Sequence, residues 1–114
     1  MRARLQQIVV DSREPRTLVR FWARLFDADP VDRAHDWSHI ELPGVARLAF
    51  QPVPEDKATK NRLHLDIEVD DIQAAATEAV GLGATRVGGT VTDEQGSFQV
   101  MRDPEGNEFC FVSG

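Results

Sequence analysis

An alternating run, a helical stripe and then further alternating runs occur in that order twice in this chain, and the repetition limits the fold more than any single motif does. In the first half, Leu5 to Val10 alternates, with Ile8 and Val10 on one face and Gln7 and Val9 on the other. From Pro15 the period lengthens. Leu18, Phe21, Trp22, Leu25 and Phe26 recur at intervals of three and four, the stripe of an amphipathic helix ending near Asp27, ahead of Pro30. Pro15 suits a first helical turn, where its missing N–H costs nothing. Trp37 to Leu42 and Ala46 to Val53 then predict two strands joined by a tight turn at Pro43-Gly44.

The second half opens on Leu63 to Val69. There His64, Asp66 and Glu68 fall on one side while Leu63, Leu65, Ile67 and Val69 fall on the other, because strand side chains alternate. An imidazole and two carboxylates are costly to bury, so that face meets solvent or lines a polar cavity. Asp70 is expected to cap the next helix, with Gln73 three residues on as in a capping box. Ile72, Ala75, Ala76, Ala79 and Leu82 form its stripe, and Gly81 and Gly83 end it. Strands follow at Thr85 to Thr92, weakened by glycine, at Phe98 to Arg102 and at Glu108 to Val112, the last two joined by the turn Asp103-Pro104-Glu105-Gly106-Asn107.

The repeated order places Gln7 and His64 at equivalent positions and implies an α+β architecture. It consists of one domain, residues 1–114, built from module one (about 4–53) and module two (about 62–114), joined by a charged, proline-containing linker at about 52–61. Modules of roughly 50 residues are too small to bury much apolar surface alone, so the two are expected to pack together, within one chain or exchanged across a homodimer.

Composition narrows the function. Apolar residues make up 41% of the 114 and charged residues 28%, an ordinary globular balance. Thirteen Lys plus Arg against nineteen Asp plus Glu give a net charge of -6, the wrong sign for sequence-independent binding to nucleic acid or to anionic membranes. A cationic small molecule is the electrostatically favoured partner; the bland alternative is a merely solubilising acidic surface. Met1-Arg2-Ala3-Arg4 leads into a short alternating run and not into an apolar signal segment, no stretch reaches transmembrane length, and the one cysteine, Cys110, excludes an internal disulfide framework. A cytoplasmic protein is therefore expected.

Phe21-Trp22, Arg62-Leu63-His64-Leu65-Asp66, Gly83-Ala84 and Asp103-Pro104-Glu105-Gly106-Asn107-Glu108-Phe109-Cys110 resemble their counterparts in the vicinal oxygen chelate superfamily. That superfamily includes glyoxalase I, extradiol dioxygenases, and bleomycin and fosfomycin resistance proteins; the small bacterial glyoxalase-like domain proteins resemble this chain most. With the repeat, the resemblance spans essentially the whole sequence. It implies paired βαβββ modules whose mixed sheet curls into a cup, with helices outside and the ligand inside. In metal-using relatives four positions supply the ligands, and carried onto this chain they are Gln7, Gln51, His64 and Cys110. No carboxylate stands among them, which disfavours Mg²⁺, Mn²⁺ and Fe²⁺. His64 and Cys110 with two amides would make a loose Zn²⁺ site. No cofactor is therefore expected, and metal-dependent glyoxalase I activity is disfavoured; a divalent ion held through a displaced set using Asp66 or Glu108 is the alternative.

Three functions follow. In the first, the protein binds a small organic molecule in its cup without an essential metal, using Gln7, Gln51, His64, Asp66, Glu108 and Cys110, with Trp37 and His39 as an aromatic wall that shares one strand face with Glu41. In the second, a lyase or isomerase, His64 assisted by Asp66 acts as general base alpha to a carbonyl. In the third, a drug-sequestering protein of the bleomycin-binding type captures a cationic antibiotic. Against these, His64 has a packing role open to it, Cys110 suits a small buried group better than a nucleophile, and Phe21 and Trp22 belong to the core stripe.

Overall fold

The computed structural model describes residues 1–2, 4–94 and 96–113. Ala3 of the amino-terminal stretch and Gly114, with which the second module was expected to end, lie outside the described residues. The chain divides into two compact units, Met1–Asp56 and Lys57–Gly114. Each follows the order strand, helix, three strands, so the chain is α+β with the βαβββ module present twice.

In the first unit, β1 (Gln7–Ser12), β2 (Val31–Asp32), β3 (Ser38–Leu42) and β4 (Ala46–Pro52) form a mixed sheet in the order β1-β4-β3-β2. Parallel pairing sets Ile8 beside Leu48 and Val10 beside Phe50; antiparallel pairing sets Ile40 beside Leu48 and Ser38 beside Phe50. Paired residues share a face, so these six make one side, apolar except for Ser38. Helix α1 (Pro15–Phe26) covers that side: Leu18, Val19, Phe21, Trp22 and Ala23 are buried, and Trp22 stands edge-on to Phe21 and stacked on Phe26. Arg20 of α1 reaches down to Asp32 (Nη2–Oδ2 3.0 Å), which also accepts from Ser38 Oγ at 2.9 Å. These hydrogen bonds from Arg20 and Ser38 hold the Asp32 carboxyl below its ordinary pKa.

The second unit repeats the plan with β5 (Leu65–Glu68), α2 (Ile72–Gly81), β6 (Thr85–Asp93), β7 (Gly96–Arg102) and β8 (Glu108–Ser113), in the order β5-β8-β7-β6. Met101 pairs with Phe109 and Gln99 with Phe111, giving a buried face toward α2. Buried Gln99 is satisfied there. Its amide donates to backbone carbonyls of Val87, Gly88 and Val100, and its oxygen accepts from Thr90, whose hydroxyl accepts in turn from Gln73 of α2.

Several expectations are corrected. The first strand runs Gln7–Ser12, starting two residues later than the alternation suggested, and β5 starts at Leu65. Leu63 is 69% exposed, since it precedes the point where pairing to β8 fixes the pleat. Trp37 falls outside β3: Ala34–Asp36 forms a 3-10 turn, and Arg33 packs over the Trp37 ring at 5.0 Å. The cap of α2 is Asp71, which accepts from Ala74 N at 3.0 Å, and not Asp70; Gln73 is engaged with Thr90. Two-residue β2 carries no period and gave no sequence signal. Pro43-Gly44 does form the expected turn, with Gly44 at φ 78° and Val45 N donating to Leu42 O at 3.0 Å. Among the described residues no helix is long and apolar enough to cross a membrane.

Candidate functional site

The pleat decides which side chains can meet. In the second unit Asp66 pairs with Cys110, Val100 pairs with Cys110, and Phe98 pairs with Val112, so all five stand on the face away from Met101, Phe109 and Phe111. A cavity of about 520 Å³ lies against that face. Its described lining comprises His64, Asp66, Glu68, Asp93, Phe98, Val100, Cys110, Val112 and the small residues Gly96, Ser97 and Ser113. Apolar wall comes from β7 and β8, and carboxylates come from β5 and the end of β6. No Lys or Arg is among those residues.

His64 Nε2 stands 3.2 Å from Asp66 Oδ1, both side chains being more than half exposed. Cys110 is half-buried, and its thiol is pushed up by burial first and by the neighbouring Asp66 and Glu108 charges next. It is therefore a protonated, unreactive thiol at neutral pH. The Nε2 or Nδ1 of His64, a carboxylate oxygen of Asp66 and the Cys110 Sγ all lie within 4.8 Å of one another. Imidazole, carboxylate and thiol suit Zn²⁺ in kind and do not suit Mg²⁺. Three donors, two of them on side chains more than half exposed, leave the set one protein ligand short of a closed tetrahedral site.

In the first unit the corresponding face carries Gln7 beside Arg47, His39 beside Ala49, Glu41 beside Arg47, and Asp11 beside Gln51. Glu41 is matched here. Arg47 Nη2 lies 2.8 Å from Glu41 Oε1, and His39 Nε2 lies 3.3 Å from the same oxygen. His39 is 6% exposed, and its Nδ1 is buried with no hydrogen-bond partner among the described residues. Burial, reinforced by Arg47 and Arg33, holds its pKa below the ordinary value, so the ring is neutral and donates from Nε2 to Glu41.

The two registers superpose position by position: Ile8 beside Leu48 matches Leu65 beside Phe109. By that register the first-unit counterpart of Cys110 is Ala49, and Gln51 is the counterpart of Val112. Gln51 therefore shifts out of the position the resemblance gave it, and a methyl group stands there.

His64, Asp66 and Cys110 are brought together by the second unit. Glu108 shares their strand face but lines a different cavity, and Gln7, Gln51 and His39 lie on the first unit, with Trp37 in the loop before β3. The sequence reading missed Asp93, Phe98, Val100 and Val112 as lining residues. Alternation through Phe98-Gln99-Val100-Met101 was the available signal, but both of its faces are largely apolar, so parity alone could not choose between them.

The family model for the glyoxalase-like domain matches residues 7–112. The chain belongs to the glyoxalase-like domain family. Solved structures agree on the fold. A glyoxalase/bleomycin resistance protein/dioxygenase family enzyme from Burkholderia phytofirmans superposes with a TM-score of 0.84 at 16% identity, covering 97% of this chain and 98% of that one. A glyoxalase-related enzyme from Fulvimarina pelagi gives 0.78 at 15% identity over 97% and 88%, and a superfamily member from Sphaerobacter thermophilus gives 0.73 at 14% identity over 98% of each chain. At such identities the likeness extends to the fold of this glyoxalase-like domain and no further. No curated protein matches its sequence.

Proposed function

We propose that this glyoxalase-like domain protein binds a small organic cation with an apolar body, in the cavity of its second unit and without an essential metal. The observation that carries the reading is the lining itself: Asp66, Glu68 and Asp93 beside Phe98, Val100 and Val112, with no Lys or Arg among the described lining residues. A volume of about 520 Å³ falls in the range of small-molecule sites. Carboxylates gathered on a concave wall focus negative potential, which attracts a cation and repels an anion of the same shape. The phenyl and isopropyl groups would cover the apolar body while the charged end faces β5. Sequestration of a cationic compound, as in the bleomycin resistance proteins of the superfamily, is one use of such a site.

A second reading rests on the His64–Asp66 pair, since an imidazole 3.2 Å from a carboxylate at a cavity wall is placed to take a proton from a bound substrate. His64→Gln separates the two: sequestration survives it, whereas turnover does not.

Fluorescence titration with ethidium, an apolar organic cation, tests the primary reading. Saturable binding is expected that weakens with salt and falls about tenfold in the Asp66→Asn/Glu68→Gln double variant, as two partly solvated ion pairs would require. Equal affinity for the anionic dye anilinonaphthalene sulfonate, or indifference to the double variant, contradicts it.

A further inference from the structure

A second cavity, of about 410 Å³, opens on the same unit and shares no lining residue with the first. It is walled by Lys57, Ala58, Thr59, Lys60, Arg102, Gly106 and Glu108. The chain contains only two lysines, and both are here. With Arg102 from the end of β7, three cations face one carboxylate in a protein whose net charge is -6.

Among the described residues neither lysine nor Arg102 makes a close ion pair, and Glu108, although it stands opposite Arg102 across β7 and β8, makes none. Half-buried Lys57 is held by a hydrogen bond from its ammonium to the Thr59 carbonyl, while Lys60 and Arg102 are exposed. The segment is tied to the sheet, because the Asn61 side-chain amide donates to the Glu108 carbonyl at 3.1 Å. At Gly106, φ is +88° and an added Cβ would meet nothing within 4 Å, so that wall is open backbone. Solvated lysines are ordinary on a surface. Two cations from one short segment converging with a third from a neighbouring strand on a concave site are a different arrangement, since concavity between like charges raises the local concentration of a counter-ion.

We propose that this cavity is an anion site, taking the phosphate or carboxylate groups of a small polyanionic molecule. Arg102 would supply a planar pair of donors and the lysines adjustable point charges, while Glu108 would set a limit on affinity by facing the bound anion. The site needs no occupant in the acidic cavity and would select the opposite charge.

Titration of ¹⁵N-labelled full-length protein with inorganic pyrophosphate and, separately, with citrate tests this. Saturable amide shifts are expected at Thr59, Lys60, Arg102 and Gly106, larger with pyrophosphate if phosphoryl groups are preferred and with citrate if carboxylates are. In Lys57→Gln/Lys60→Gln the affinity should fall about tenfold, and in Glu108→Gln it should rise severalfold. Arg86→Gln, which alters an arginine bonded to Thr77 outside the cavity, should leave the affinity unchanged. Non-saturating shifts spread over the surface, or equal affinities in the wild type, the double variant and Glu108→Gln, would overturn the proposal.

Discussion

On the face turned from its helix, the first unit sets Glu41 between Arg47 and His39, whereas the second sets Asp66, Glu68 and Asp93 around a cavity with no Lys or Arg among its described lining residues. Strand order and the register of the parallel pair are the same in both, but β2 spans two residues where β6 spans nine and ends in Asp93. The two faces therefore differ in which side chains occupy matched positions and in the longer edge strand of the second unit. Where Gln7 precedes Ile8, His64 precedes Leu65, and where Ala49 sits beside Val9, Cys110 sits beside Asp66. The matched Glu41–Arg47 pair lowers the electrostatic incentive for a ligand, and three carboxylates with no Lys or Arg among the described lining residues raise it.

The helices differ as well, and the largest expected effect tests that contrast. Helix α1 fills its side with Phe21, Trp22 and Leu18, whereas α2 buries Ile72 and the small Ala76 and Ala79. Trp22→Ala should lose about 3–5 kcal/mol in urea denaturation, and Ile72→Ala about 2 kcal/mol, the rest of the α2 contact being methyl groups. Equal losses would show that the units are packed alike despite their sequences.

Next in size is Asp103, 4% exposed, whose Oδ1 accepts from the amides of Glu105 and Asn107 and whose Oδ2 accepts from the Asn107 side chain. Asp103→Ala strands these donors and should cost about 2–3 kcal/mol by the same measurement. Loss of the α2 cap in Asp71→Ala should cost about 1 kcal/mol, whereas α1, which begins at Pro15 and whose N-cap residue Glu14 makes no side-chain capping bond, has no equivalent bond to lose.

His39 gives the first unit a pH signature. Its folded pKa lies below the ordinary 6.5 because burial and the Arg47 and Arg33 charges outweigh Glu41. Between the two values the unfolded chain binds more protons, so stability rises with pH there. The contribution is complete above about 6.5 and is lost as pH falls below it. Unfolding free energies measured across that window should show this slope, and His39→Gln should flatten it.

The repeat, both helices and the acidic polarity of the His64–Glu68 face were legible in the sequence because each rests on a period. Trp37 was misplaced because left-handed backbone at His35 and Asp36 bends the chain just before β3, and no period reports such a bend. Gln51 was misassigned for a related reason: counting along a strand fixes parity, but only the pairing of Asp11 with Gln51 and of Val9 with Ala49 fixes which residue matches Cys110. Lys57 and Lys60 looked like a charged linker until the loop was placed against Arg102 and Glu108.

Metal content is a simple check on the proposed chemistry, and protein dialysed without chelator should carry a substoichiometric trace of zinc. The most direct test of the contrast between the units is an amide-resolved ¹H–¹⁵N titration with ethidium. Saturable shifts confined to β5, β7 and β8 around Asp66, Phe98 and Cys110, with a midpoint about tenfold higher in Asp66→Asn/Glu68→Gln, are the result expected. Shifts centred on β1, β3 and β4 around His39 and Arg47, or shifts that persist unchanged in that variant, would contradict the account.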